Sequence, residues 1–508
     1  MSLELPSPSG LDVASSIAWL SGVLAVCCAI GFVARRKSST FTSWLVGSRN
    51  FGPVVTGLAL SATWMSGWAC LGLMGITYTF GWSGMWLAGV WTLVGIIPCV
   101  AVFGLKLRRM FERHRVTTVP QLVGSLYGSK LVGAIASLVY IVLLVVYAVG
   151  QYKAAATVWH VVTGSSWELS IMIGALIMIA YMALGGFTGT QWALAVQGVV
   201  MAFACYLLAY FSLTFVGGPI AMNEALASQS LSLIAPLRAD LASTPKFQFA
   251  ADPIGLAATL GLFVTMAVGF PHNVARFLGM RELTRRELAI MVLVVFVVSA
   301  IPWVNILTGL SARALFGPAL LSTSPAGKDA AAPYMSLLAG PAMSGLYVAA
   351  VFSASISTLA GMVLVMAGSL ARDVIQVLKP TLSDRALLNI ARGLTALFAL
   401  IPLTWILVRP PDLLAYLMAG AAVGLGCIFF FVLALTLYWR RAHKYGAIAC
   451  MVYGLVMTVL GGYYVYTANE WGWGYWWWAT FIGCAASYVG FSLVGRWLER
   501  RRIKVVRC

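Results

Sequence analysis

Charge is what this sequence has little of. Only 9% of its 508 residues are charged, against roughly 25% in a soluble domain, and just 15 are acidic. A chain so poor in charge is excluded as a string of soluble domains, whatever its length allows. Phosphate-binding and hydrolytic signatures are missing as well. There is no Walker A loop, no HExxH zinc motif and no GxSxG elbow. ATP-driven transport by this chain alone is thereby disfavoured, and no enzyme is expected. The nine cysteines show no CxxC spacing, and eight of them sit inside apolar stretches, where thiols are inert packing groups.

Apolar residues are what is there. They make up 61% of the chain, and mean hydropathy is +0.91. Runs of about 20 residues, the length that crosses about 30 Å of hydrocarbon, recur along the sequence. They predict thirteen spans near 13–34, 51–77, 82–105, 131–160, 166–186, 190–216, 253–278, 287–312, 340–370, 388–408, 413–438, 444–466 and 475–497. The fold class expected is an all-α polytopic membrane protein in a lipid bilayer.

The 33 basic residues give a formal net charge of +18, yet they cluster in alternate short segments between the runs. One set holds Arg35, Arg36, Lys37 and Arg49, then Lys106, Arg108, Arg109, Arg113 and Arg115, then Arg281, Arg285 and Arg286. It continues with Arg372, Lys379 and Arg385, with Arg440, Arg441 and Lys444, and with Arg500, Arg501, Arg502, Lys504 and Arg507. The intervening segments hold scattered bases such as Arg238, Lys246, Arg313, Lys328 and Arg409. This is a positive-inside pattern, not a nucleic-acid surface. It places the N-terminus outside and the C-terminus in the cytoplasm. The acidic, polar start ahead of the first run has the reverse order of a cleavable signal.

Two runs are interrupted. The second carries Ser61-Ala62-Thr63-Trp64-Met65-Ser66-Gly67, and the seventh carries Gly269, Pro271, His272 and Asn273. Proline removes a backbone donor and crowds the preceding turn. Irregular backbone at membrane depth is tolerated only inside protein or beside a cavity. The two runs are five apart, so they occupy matching places in two halves of opposite orientation, the mark of an inverted-repeat secondary transporter. Small and hydroxylated residues also let membrane helices pack closely, which stays open for the second run alone. The ninth run adds Ser353, Ser355, Ser357 and Thr358. Hydroxyls of Ser357 and Thr358, with carbonyls near Ala62 and Met65, would make a neutral oxygen cage for a hard cation such as Na⁺. The same hydroxyls can instead bond back to their own helix turn.

The stretches "LVGSRNFGPVVTGLALSATWMSGW", "GGFTGTQWALAVQG", "GFPHNVARF" and "SASISTLAG" together resemble the solute:sodium symporter family, closest to its bacterial proline, pantothenate and acetate permeases. The resemblance covers residues 40 to 375. It implies a leucine-transporter-like fold of two inverted five-helix repeats, 51–216 and 253–438, flanked by a span at 13–34 and two at 444–497. It implies a sodium site of Ala62 and Met65 carbonyls with Ser357 and Thr358 hydroxyls. The substrate site beside it would draw on Ser61, Thr63, Trp64, Ser66, Gly67, Lys153, Gly269, Pro271 and His272. Arg276 and Gln197 would gate it, unless Arg276 only holds the end of its span.

Two positions depart from the pattern: Trp64 stands where proline-type members have an aspartate, and Leu194 ends what is elsewhere a WTD. All fifteen acidic residues fall at run ends or in loops, which leaves no carboxylate for a proton relay. Lys153 has two readings, attraction of an anionic carboxylate or a structural charge snorkelling toward the outer face. The expected function is sodium-coupled uptake of a small monocarboxylate or amino-acid-like solute across the inner membrane by alternating access. Alternatives are an uncoupled facilitator and a non-transporting solute sensor. Sodium is the expected coupling ion, with no organic cofactor, no nucleic acid, and possible self-association into a homo-oligomer.

Overall fold

Proline and glycine punctuate the helices. In the computed structural model Pro53 opens the broken second run behind Gly52, Pro253 opens the seventh behind Asp252, and Pro341 opens the ninth behind Gly340. Proline suits the first helical position because its missing N–H has no intrahelical partner there. The structure describes residues 3–35, 40–47, 49–88, 90–182, 186–241, 243–244, 248–249, 251–321, 326–408 and 414–506. Arg36, Lys37, Lys246, Arg409, Arg507 and Cys508 lie outside the described residues.

The principal helices are α1 (Gly10–Arg35), α2 (Pro53–Trp64), α3 (Leu73–Phe80), α4 (Lys130–Thr163), α5 (Trp167–Met182), α6 (Phe187–Phe215), α7 (Pro253–Gly269) and α8 (Pro271–Val274). They continue with α9 (Arg285–Val298), α10 (Ile301–Phe316), α11 (Pro341–Ser369), α12 (Asp384–Val408), α13 (Leu414–Phe429), α14 (Lys444–Tyr466) and α15 (Trp473–Val506). One isolated bridge between Phe51 and Met280 is the only extended pairing among the described residues.

Ten helical stretches among the described residues are long and apolar enough to cross a membrane, and the bent pair α7–α8 makes an eleventh. Pro53–Trp64 and Trp167–Tyr181 are apolar but shorter. The stretch Trp68–Arg113 holds 46 residues. A helix of that length would reach about 70 Å, more than twice a hydrocarbon core. Gly81, at φ +68°, interrupts it. Helix length alone therefore stops short of the thirteen expected spans.

α11 is the centre. It packs on α1, α4 and α6, and the whole of its apolar window is buried. Lipid supplies little hydrophobic drive between helices, so close packing through small residues must do it. A Cβ on Gly345 would lie 2.3 Å from Ser15 Oγ of α1, and one on Gly368 would lie 2.2 Å from Leu45 Cδ2. At the periphery, less than a third of the apolar windows of α1, α12 and α15 is buried, and Phe32, Val33, Leu397, Ile482 and Phe491 are exposed. That apolar girdle fits a bilayer, not water.

Candidate ion and solute site

The second run breaks between α2 and a π-helical turn, Trp68–Gly72. Met65, at φ −77° and ψ 70°, leaves the helix. Four amides then lose their usual carbonyls. Ser66 N–H bonds Trp64 O at 2.9 Å, Gly67 N–H goes to Gln151 Oε1 at 3.1 Å, Trp68 N–H to Ser66 Oγ at 3.2 Å, and Ala69 N–H to Ser66 O at 2.9 Å. The carbonyls of Ala62, Thr63 and Met65 are thereby released from the helical ladder.

Buried carbonyls need partners, and α11 brings two of them. Ser357 Oγ donates to Ala62 O at 2.9 Å, and Thr358 Oγ1 donates to Thr63 O at 3.1 Å. Ser357 also lies 2.9 Å from Ala354 O, one turn back on its own helix. Its one proton is shared between the α2 carbonyl and its own helix turn. Around the same break Asn305 Nδ2 donates to Ala69 O at 2.7 Å, Tyr347 OH donates to Cys70 O, and Ser299 Oγ meets Ser61 Oγ at 3.2 Å.

The seventh run bends by 46° between α7 and α8. Phe270 (φ −84°, ψ 108°) is extended, and Pro271 has no N–H for Ala267 O. The bend is held by contact as well: a Cβ on Gly269 would lie 2.4 Å from Leu425 O of α13. Facing the two breaks is an aromatic wall. Trp64 sits edge-on to Trp91 and Phe270 at 5.6 and 5.8 Å, and Tyr147 packs on Phe270 at 5.2 Å. Trp68 meets Trp91 at 5.0 Å. A narrow, mostly apolar gap of about 30 Å³ lies among Trp68, Tyr147, Phe263, Met266, Phe249 and Trp473, room for little more than a water. Trp64 Nε1, Gln151 Nε2, His272 Nδ1 and Ser355 Oγ are buried beside these walls without a hydrogen-bond partner. Ser355 Oγ and Gln151 Oε1 close on Gly67, where a Cβ would also meet Ala154 Cβ at 2.4 Å.

Lys153 requires a correction. It is fully buried and paired with Asp329 Oδ2 at 2.8 Å, itself fully buried. The snorkelling reading fails, and the charge is already answered before any solute arrives. The expectation that no carboxylate enters the bundle fails with it. Asp329 lies in a loop by sequence, but the turn Gly327–Ala330 pushes it in against Gly75 of α3. Asp373 is also buried, accepting from Thr118 Oγ1 at 2.7 Å.

Arg276 is buried with Nη1 3.3 Å from Gln191 Oε1. Gln197 is buried on α6, and neither amide atom has a partner. Leu194 is buried on the same helix. Sequence reasoning missed Gln151, Asn305, Tyr347 and Asp329. Gln151 stood two residues from Lys153 and was legible as a second polar group at mid-span; the others carry no local signal.

Two broken helices that meet beside a buried polar seam point to the class of secondary transporters. The comparisons agree on the branch. A model of the sodium:solute symporter family matches residues 44–454, and the chain belongs to that family. It is 27% identical over 442 residues to the sodium/proline symporter of Salmonella typhimurium, covering 85% of this chain and 84% of that one. It is 25% identical over 456 residues to the sodium/pantothenate symporter of Escherichia coli, covering 86% and 88%. Among solved structures, a Na⁺-coupled sialic acid symporter in a substrate-bound outward-open state superposes with a TM-score of 0.73 at 16% identity, covering 95% and 98%. The chain is a sodium-coupled multi-pass membrane transporter, not an enzyme.

Proposed function

We propose that this chain moves a small carboxylate-bearing solute, of the proline or pantothenate kind, inward with sodium by alternating access. The observation that carries the reading is the meeting of Ser357 and Thr358 with the released carbonyls of Ala62 and Thr63, residues 295 positions apart in sequence. Sodium, a hard cation, would sit among Ala62 O, Met65 O, Ser357 Oγ and Thr358 Oγ1. Each hydroxyl now donates to a carbonyl. A cation at the centre would turn the hydroxyl lone pairs inward and take over the protons' role. No carboxylate belongs to this set, so the ion is held by neutral dipoles alone.

The solute would lie beside it against Trp64, Ser66, Gly67 and His272, with Ser61, Thr63, Gly269 and Pro271 shaping the two breaks. Because Asp329 already answers Lys153, a solute carboxylate is met by neutral donors such as Gln151 Nε2 and Trp64 Nε1. Residues 51–216 and 253–438 would be the two repeats, 13–34 and 444–497 the flanking spans. Arg276 and Gln197 would close the path at the inner end. The positive-inside pattern supports an N-terminus outside.

The test is uptake of labelled monocarboxylates, amino acids and pantothenate into proteoliposomes, with inward sodium or with potassium. Sodium-driven accumulation is expected. In Ser357→Ala/Thr358→Ala the sodium concentration for half-maximal uptake should rise about tenfold or more, since each lost charge-assisted contact is worth roughly 1.5–3 kcal/mol. One observation favours a second reading: Trp64 and Leu194 replace two carboxylates of the family pattern. Flux that merely equilibrates, with or without sodium, would make the chain a facilitator.

A further inference from the structure

Arg276 lies in the interior with no counter-charge among the described residues. Its side chain is 1% exposed, and no carboxylate lies within ion-pairing distance of it among the described residues. Nη1 donates to Gln191 Oε1 at 3.3 Å, the guanidinium lies 5.6 Å from the centre of the Phe187 ring, and Nε has no partner. Gly361 makes the space: a Cβ there would lie 2.5 Å from Nη2. An uncompensated charge in a membrane interior is costly and marks a site that something else completes.

The cavity beside it is mostly apolar, with few unpartnered donors facing it. Arg276 lines a small cavity with Thr117, Thr118, Phe187, Gly361 and Ser369. Ser369 Oγ is buried there without a partner, and so is Nε2 of Gln191, the residue that already accepts from Arg276. The carboxylate in this region, Asp373, is occupied by the Thr118 hydroxyl at 2.7 Å. A water would satisfy the donors but leave the charge uncompensated. An anion does both. The space takes about one water-sized guest, which admits a single-atom anion and leaves no room for a carboxylate with its carbon chain.

We propose that Arg276 and Ser369 hold one chloride-sized monovalent anion in this cavity. The site is distinct from the carbonyl–hydroxyl seam at Ala62 and Ser357, and it does not depend on sodium coupling. The guanidinium supplies the charge and Ser369 a neutral donor, while Gln191 stays on the guanidinium.

The test is equilibrium binding of ³⁶Cl⁻ to the purified full chain in detergent, in sodium-free choline gluconate. Saturable binding near one ion per chain is expected, displaced by bromide and not by acetate. Ser369→Ala should weaken it about tenfold, the worth of one hydrogen bond to a charged partner. Arg276→Gln should abolish it. Both variants are checked for monodisperse elution, and if Arg276→Gln aggregates, Ser369→Ala decides alone. Absence of saturable binding in the wild type would overturn the proposal. So would unchanged affinity in Ser369→Ala, or acetate competing as well as bromide, which would assign the site to a carboxylate.

Discussion

Lys153 and Asp329 meet where neither could stand alone. Both are fully buried and 2.8 Å apart, joining the middle of α4 to a loop turn that lies against α3. Replacing a buried pair by apolar groups is often neutral, whereas removing one partner strands the other charge at a cost of about 3–5 kcal/mol. Lys153→Met and Asp329→Leu should each lower the unfolding midpoint sharply, while the double variant should recover much of the loss. A double-mutant cycle in detergent reads this directly. Additive losses would mean that the two charges do not depend on each other. A solute carboxylate bound at Lys153 would predict something different: loss of affinity in Lys153→Met with stability intact.

At the scale of elements, the bend between α7 and α8 is fixed by two independent causes, the missing amide of Pro271 and the approach of α13 to Gly269. A Cβ on Gly269 would lie 2.4 Å from Leu425 O and 2.8 Å from Gly426 Cα. Both are backbone atoms and cannot swing aside. Overpacking of this kind costs about 1–3 kcal/mol, so Gly269→Ala should lower the unfolding midpoint and slow transport. Gly393, inside α12, is the control, because nothing lies within 4 Å of its Cβ position. There Gly393→Ala should stabilise by about 0.5–1 kcal/mol through helix propensity. Thermal unfolding of the two variants side by side separates contact from propensity. Equal shifts would remove the α13 contact from the account.

For the whole molecule the quantity that matters is how far a solute can be concentrated. One inward sodium ion gains about 2.3 kcal/mol per 100 mV. A tenfold sodium gradient adds about 1.4 kcal/mol. With one sodium per neutral solute the two together support roughly 500-fold accumulation. Steady-state uptake in proteoliposomes at a clamped potential should approach that ratio and fall toward unity when an ionophore dissipates both gradients. A ratio near its square would mean two sodium ions, and a second cation site that the neutral seam at Ala62 and Ser357 does not supply. The peripheral helices, with their exposed apolar side chains, set this machine in a bilayer; the polar seam lies deep inside, around α11.

The membrane bundle, its broken second and seventh runs, and the hydroxyls of the ninth were legible in the sequence. Run length, proline and glycine act locally, and lipid leaves a backbone few options. Ser357, Thr358 and the Ala62 carbonyl were named from the sequence, but Thr63 O, not Met65 O, as the partner of Thr358 was fixed only when α11 packed against α2. Lys153 shows the limit most clearly. A lone intramembrane lysine reads as a functional charge from sequence, yet its partner is 176 positions away in a loop. Arg276 shows the converse: nothing in "GFPHNVARF" says whether the fold will bring it a carboxylate. Pairing of buried charges depends on which distant elements touch. Local pattern decides what can cross the membrane, and tertiary contact decides which of its charges are already answered.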